Sequence, residues 1–346
     1  MKYGVRPTNL LERLALAVGR VPVPALDALY SIVKARCLMT AVRLGLFEAL
    51  TERSKTAAEL AAEKGLDAEA TELLLRSLVF LDYLELRRGR FRLSRLARRS
   101  LVAGSPQDLR GFVEWTFTQW SFLEQMEPLV RTGRGVDFHH TMTDTGEWAW
   151  YQRAMLEVAR FDAPAMAGRV PVPKGATRLL DLAGSHGLLG AEICRRHPPM
   201  RSVVVDLPQA LEHARVLAKE AGIADLVEHR EGEALTAELG EGYDVALVAN
   251  LLHHFEEEPC RAILERARRA VRPGGTVAVW EIEAPRPGTR PAFGDGVALF
   301  FRLTSTARAH HGEDYAAWLE AAGCRRTKVI RPALSPGNVL VVARVP

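Results

Sequence analysis

Six of the ten histidines in this 346-residue chain fall in adjacent pairs, His139-His140, His253-His254 and His310-His311. Imidazole takes up and releases protons near neutrality, and three imidazoles could also hold a divalent ion. Adjacent residues on an extended segment point to opposite sides, so about one ring per pair can enter a shared cleft. A hydrogen-bonding, proton-handling cluster is expected from this pattern, and no metal site. A second group of residues suits a nucleotide-like ligand. Gly184 and Gly187 allow a main-chain turn to approach a ligand closely, and Asp206 follows about 20 residues later, where an acid accepts from ribose hydroxyls. Ser185 stands where a dinucleotide fingerprint requires glycine ahead of Gly187 and Gly190, which makes the following helix start a poor pyrophosphate cradle. S-adenosylmethionine carries a ribose and no phosphate. It needs only an open turn and the acid.

The elements that must position these residues alternate between strand and helix. RLLDLAG reads as a strand running into the glycine turn, with a helix to about residue 196. SVVVDL (202–207), LVEHRE (226–231), YDVALVAN (243–250) and TVAVWEIE (276–283) read as further strands, separated by helices at 209–221 and 257–271. Such alternation builds a parallel sheet covered by helices, with its ligand at the carboxyl ends of the strands.

The front half has a different texture. Residues 29–50 show helical spacing broken by Gly45, and Thr56 with Glu59 forms a capping-box start. A helix, a turn at Gly65 and a second helix with Leu73, Leu74, Leu78 and Leu81 inward then lead to two short strands around Arg88-Gly89. This is a winged-helix pattern. Seven arginines (87, 88, 90, 92, 95, 98 and 99) crowd the wing, yet the helix that would enter a DNA groove, about 68–80, offers only Arg76. Base readout needs polar groups on that face, so a solvated or partner-facing wing is expected and no nucleic-acid binding. Residues 111–166 hold four of the six tryptophans. Flat aromatics beside flexible methionines suit the wall of a pocket for an apolar or aromatic ligand, with Trp115, Trp120, His139, Met142, Trp150 and Met155 as its candidates. Pro164, Pro171, Pro173 and Gly175 mark a linker. The expected organisation is a winged-helix-like domain over 1–110, a helical connecting and pocket segment over 111–172, and an α/β Rossmann-like domain over 173–346.

Whole-chain properties narrow the setting. A net charge of +4 is only mildly basic, and no stretch of about eighteen uncharged apolar residues suggests a membrane span. Four scattered cysteines with no paired spacing argue against a disulfide framework and for a reduced, cytoplasmic protein. The N-terminal residues lack the long apolar core of a signal peptide.

The motif series Asp181-Leu-Ala-Gly184-Ser-His-Gly187, Val205-Asp206-Leu207-Pro208, Asn250-Leu-Leu-His253-His-Phe255 and Arg272-Pro-Gly-Gly275 resembles that of class I methyltransferases. With the winged front domain, the chain resembles the caffeic-acid/hydroxyindole type of O-methyltransferase, including its bacterial natural-product members, from about residue 30 onward. The resemblance implies an S-adenosylmethionine-binding C-terminal domain and an intertwined homodimer made by the front domains. It implies that Asp181, Gly184, Gly187, Asp206, Leu207, Glu233, Ala234 and Asn250 form the cofactor site, with Gly184 at the amino-acid part, Asp206 at the ribose and Glu233-Ala234 beside the adenine. His253 matches the general base and Glu281 an acid that orients it. Phe293 and Phe300 join the acceptor pocket. The chain departs from the family at several points. Ala183 and Ser185 occupy usual glycines, Glu233 a usual aspartate and Ala249 a usual lysine. A second base-flanking acid falls near Ala309-His310, so His310 or His311 is expected to take its part.

The expected function is methyl transfer to a hydroxyl of a small aromatic or polyketide-like natural product. N- or C-methylation, a non-methylating reaction on the same fold, and a DNA-binding regulator are the alternatives.

Overall fold

The computed structural model describes residues 4–138, 142, 145–333 and 335–346; His139 and His140 lie outside them. The chain separates into two compact units, Met1–Phe117 and Thr118–Pro346.

The front unit begins with helices α1 (Leu10–Ala17) and α2 (Val23–Arg43), followed by α3 (Ala57–Lys64) and α4 (Ala68–Phe80). Thr56 and Glu59 form the expected capping box, and Gly65 ends α3 in the left-handed region at φ +66°. Strands β1 (Leu84–Arg87) and β2 (Arg90–Leu93) pair antiparallel across Arg88-Gly89, giving the expected wing. One inward assignment is corrected. Leu73 is 61% exposed, whereas Thr71, Leu75 and Leu78 are buried. At 100° per residue these three share one face of α4, and Leu73 sits 200° from Leu75. Two wing arginines are engaged within the unit, Arg90 with Glu59 at 2.9 Å and Arg92 with Glu85. Helix α5 (Arg95–Ser100) follows, and α6 (Arg110–Leu123) runs across the boundary between the units.

In the back unit, α7 (Met126–Thr132) and the long α8 (Thr145–Ala167) precede a seven-stranded sheet. The alternation expected from the sequence is present as β3 (Arg178–Leu182), α9 (Leu188–Arg196), β4 (Arg201–Asp206), α10 (Pro208–Glu220), β5 (Val227–Glu231), β6 (Tyr243–Ala249), α11 (Glu257–Ala270) and β7 (Val271–Ile282). Helices α12 (Phe293–Leu303) and α13 (Gly312–Ala321), then strands β8 (Arg325–Ile330) and β9 (Asn338–Arg344), complete the chain. The strand order is β5-β4-β3-β6-β7-β9-β8, parallel except where β9 runs antiparallel to β7 and β8.

Side chains alternate across the sheet, and this builds two cores. Leu180 and Leu182 face one side with Ile263, Leu264 and Tyr315, while Leu179 faces the other with Ile193, Leu217 and Met166. From β3 the sheet extends one way to β4 and the other way to β6. That reversal opens a crevice at the carboxyl ends of these strands.

Candidate active site

A cavity of about 350 Å³ occupies this crevice. Each strand end contributes to it. Ala183 and Ser185 come from the turn after β3, Asp206 and Leu207 from the end of β4, Gly232, Glu233 and Ala234 from beyond β5, and Asn250 and Leu251 from beyond β6. Close approach of the chain fixes two glycines. A Cβ at Gly184 would collide with the Asp181 carboxylate, and Gly187 sits at φ +78° with Val227 2.8 Å from where a Cβ would be. Ala183 and Ser185, at φ 56° and 53°, hold left-handed conformations that glycine adopts more readily.

The two acids here are under electrostatic pressure. Asp206 accepts from the Ser185 N–H at 2.8 Å through Oδ2 and from the Leu207 N–H at 2.7 Å through Oδ1. Burial outweighs those bonds and pushes its carboxyl up to about 6. Each oxygen has a further lone pair, so a ribose diol fits a carboxylate that already lines the cavity. Asp181, fully buried beneath the start of α9, is pushed up to about 7 by desolvation. Its Oδ2 accepts from the Gly190 N–H at 3.3 Å, and its Oδ1 has no hydrogen-bond partner among the described residues. A phosphate-bearing ligand gains nothing from two adjacent acids, whereas S-adenosylmethionine brings positive charge. Glu233 accepts from the Thr236 hydroxyl at 3.0 Å and shapes the turn that carries Ala234.

Beyond β6, the short helical turn Leu252–His254 is tied down from several sides. Glu281 on β7 is fully buried. Its Oε1 accepts from the Leu251 and Leu252 N–H groups at 2.6 and 2.5 Å, and its Oε2 lies 2.7 Å from His253 Nδ1. The His253 ring sits between those of His254 and Phe301, with centroids at 4.0 and 4.2 Å. His253 is 1% exposed, and it is His254 that lines the cavity. His310 lies behind the turn, its Nε2 3.0 Å from the Phe255 carbonyl and 3.8 Å from Cys260 Sγ. His311 caps α13. Neither is hydrogen-bonded to His253: His310 is held by the Phe255 carbonyl and His311 begins α13, so neither flanks the base as the missing acid would.

The acceptor wall differs in detail from the sequence reading. Trp148, Tyr151, Gln152 and Met155 of α8 line the cavity. Their spacing of three, four and seven puts them on one helical face, a signal present in the sequence once Met155 is taken as the anchor. Trp150 falls off that face and is 44% exposed. Phe138 and Trp148 pack their rings 5.4 and 5.8 Å from that of Tyr151. Met142 accepts from Trp148 Nε1 at 3.0 Å through its carbonyl and does not line the cavity. Trp120 and Phe300 are half-buried and Phe293 exposed, none of them lining it, while Trp115 is a core residue of the front unit. His139 lies outside the described residues. The sequence reading missed Asp137, Ser305 and Thr306, which also line the cavity.

Comparison with known proteins gives the family. Residues 26–103 match the O-methyltransferase dimerisation domain and residues 124–325 the O-methyltransferase domain. The chain is 30% identical over 333 residues to the 3-hydroxy-5-methyl-1-naphthoate 3-O-methyltransferase of Streptomyces sahachiroi, covering 94% of this chain and 95% of that one. It is 27% identical to the N,N-dimethyltransferase OxyT of Streptomyces rimosus, over 90% and 93% of the two chains. In fold it is similar to human N-acetylserotonin methyltransferase in complex with SAM, with a TM-score of 0.82, 21% identity and coverage of 98% and 99%. The chain belongs to the O-methyltransferase family, and it transfers a methyl group from S-adenosylmethionine to a hydroxyl.

Proposed function

We propose that the acceptor is a small aromatic or polyketide-like natural product and that His253 takes the proton from its hydroxyl. The observation that carries the base assignment is the Glu281–His253 contact of 2.7 Å, made by a carboxyl that also receives two main-chain N–H groups. A carboxylate only accepts, so Nδ1 carries the ring hydrogen and Nε2 keeps its lone pair for a proton. When bound, S-adenosylmethionine supplies an electrophilic methyl group. Asp206 holds its ribose, Glu233 and Ala234 flank the adenine, and Asp181, Gly184, Gly187, Leu207 and Asn250 shape the rest of that half-site. Trp148, Tyr151 and Met155 form an apolar wall that orients a flat acceptor and excludes water. The natural-product substrate of the Streptomyces sahachiroi relative supports this acceptor class.

A second reading of the base has its own observation, since His254 rather than His253 lines the cavity. The two are separated by His253→Asn, which keeps a donor toward Glu281, and His254→Asn, both assayed by mass spectrometry of the methylated product. If His253 is the base, the first variant should turn over about 10²–10⁴-fold more slowly, and the second should change mainly the acceptor KM. The reverse pattern transfers the role to His254, and full activity in both leaves positioning alone as the source of rate.

We also propose a homodimer formed through the front domain. α1 buries no residue and exposes Leu10, Leu11 and Leu14, and α2 exposes Leu29, Tyr30 and Ile32. Apolar surface of that extent favours a protein partner. The engaged wing arginines support a small-molecule enzyme with no nucleic-acid partner, and the free cysteines support a cytoplasmic setting. No described helix is long and apolar enough to cross a membrane.

A further inference from the structure

The glycine turn of this chain carries a side chain that reaches α8, that of Ser185. The Ser185 hydroxyl donates to Gln152 Oε1. His186, the next residue, turns back into the turn, its Nδ1 accepting from the Leu188 N–H at 3.1 Å. Gln152 and Met155 are two of the four α8 residues that line the cavity, and Gln152 is 2% exposed. Through its own N–H, Ser185 also holds Oδ2 of Asp206 at 2.8 Å. One residue thus joins the acid at the ribose end of the cavity to the helix that forms the acceptor wall. Ser185 occupies this place at φ 53°, a conformation that costs a residue with a Cβ roughly 1 kcal/mol and glycine almost nothing. Local stability therefore favours glycine here, and the hydroxyl needs another explanation.

We propose that Ser185 and Gln152 form a latch that couples cofactor occupancy to the acceptor wall, so that filling the cofactor site rigidifies α8 and organises the acceptor pocket. Both are positioning residues. Ser185 fixes the ribose acid through its amide and α8 through its hydroxyl, and Gln152 is the receiving point on the wall. By linkage, a group ordered by one ligand lowers the ordering cost of the next, and the effect is reciprocal. This coupling holds whichever histidine is the base, and its failure would leave the methyltransferase assignment untouched.

The test uses the full-length protein with S-adenosylhomocysteine as the probe. Ser185→Gly removes the hydroxyl and relieves the backbone, so its thermal midpoint should equal or exceed that of the wild type. Its affinity for S-adenosylhomocysteine, by calorimetry, should nevertheless fall by about 3- to 10-fold, the range of one net hydrogen bond. Gln152→Leu should lose affinity similarly, and the double variant should be no weaker than either single one. Hydrogen exchange gives the direct readout. In the wild type, S-adenosylhomocysteine should slow exchange both in the turn at 183–187 and in α8 around 149–158. In Ser185→Gly the turn should still be protected and the response of α8 lost. A merely structural serine would lower the thermal midpoint and leave the α8 response intact. Unchanged affinity in Ser185→Gly, additive losses in the double variant, or an α8 response that survives Ser185→Gly would each overturn the latch. Should Gln152→Leu fail to fold, the Ser185→Gly exchange pattern decides alone.

Discussion

Glu281→Gln is the substitution that most sharply tests how this site works. It removes one charge and no volume. In the wild type three donors converge on the carboxyl, the N–H groups of Leu251 and Leu252 on Oε1 and His253 Nδ1 on Oε2. An amide has one accepting oxygen and one donating nitrogen. Two main-chain donors outweigh one ring nitrogen, so the amide oxygen should stay with Leu251 and Leu252 and the NH₂ should turn toward His253. Nδ1 must then accept, and the ring hydrogen moves to Nε2, the atom that has to receive the acceptor's proton. The base is lost by tautomer although the imidazole remains in place. Turnover should slow by about 10²–10⁴-fold, the full contribution of a general base. The stability cost follows from the same three bonds. Replacing charge-assisted bonds by neutral ones loses about 1 kcal/mol each, or about 3 kcal/mol in all. For a domain of this size that corresponds to a thermal midpoint lower by about 6–12 °C. Steady-state kinetics at about 25 °C, well below the transition, separate the two effects, and calorimetry should show affinity for S-adenosylhomocysteine within about twofold of wild type. A Glu281→Gln enzyme with wild-type turnover would refute the tautomer argument and the base with it.

Two further outcomes follow from burial and from surface chemistry. Asp181 has a folded-state carboxyl raised to about 7 from an ordinary 3.8 by burial. Between about pH 4 and 7 the folded chain therefore binds a proton that the unfolded chain has released, so this residue's contribution to stability falls as pH rises and stays low above 7. Urea unfolding without cofactor should show Asp181→Asn gaining on the wild type at pH 8 relative to pH 5, and an equal difference at both would contradict the burial argument. For the assembly, light scattering at micromolar concentration should return about twice the 38.2 kDa chain mass. A monomer would contradict the reading of the exposed faces of α1 and α2.

Much of this protein is fixed by local chemistry and was legible in the residues alone. The capping box at Thr56 and Glu59, the left-handed stop at Gly65 and the turn at Arg88-Gly89 are short-range decisions, and each formed as the sequence indicated. The β3–α9 turn and Asp206 were legible for the same reason. Only small residues permit that approach of the chain, and a buried run such as SVVVD has to end on an acid that water or a ligand can reach. What sequence left open depended on partners far along the chain. Helical phase decided that Trp148 and Tyr151, and not Trp150, line the cavity, and the packing of α8 against α9 and α10 fixed which face turned inward. The elements after residue 283 were not read from the sequence, and β9 in particular is defined by pairing with β7 across some sixty residues. His310 and His311 looked equivalent to a missing acid by position. The path into α13 turned one toward the Phe255 carbonyl and made the other a helix cap, away from the cavity. The pairing of His253 with Glu281 was expected from the resemblance alone, and its geometry was not legible in the residues. The histidine's type and place are written in the chain, but the carboxyl that sets its tautomer lies 28 residues away on β7, and only the parallel pairing of β6 with β7 brings the two together.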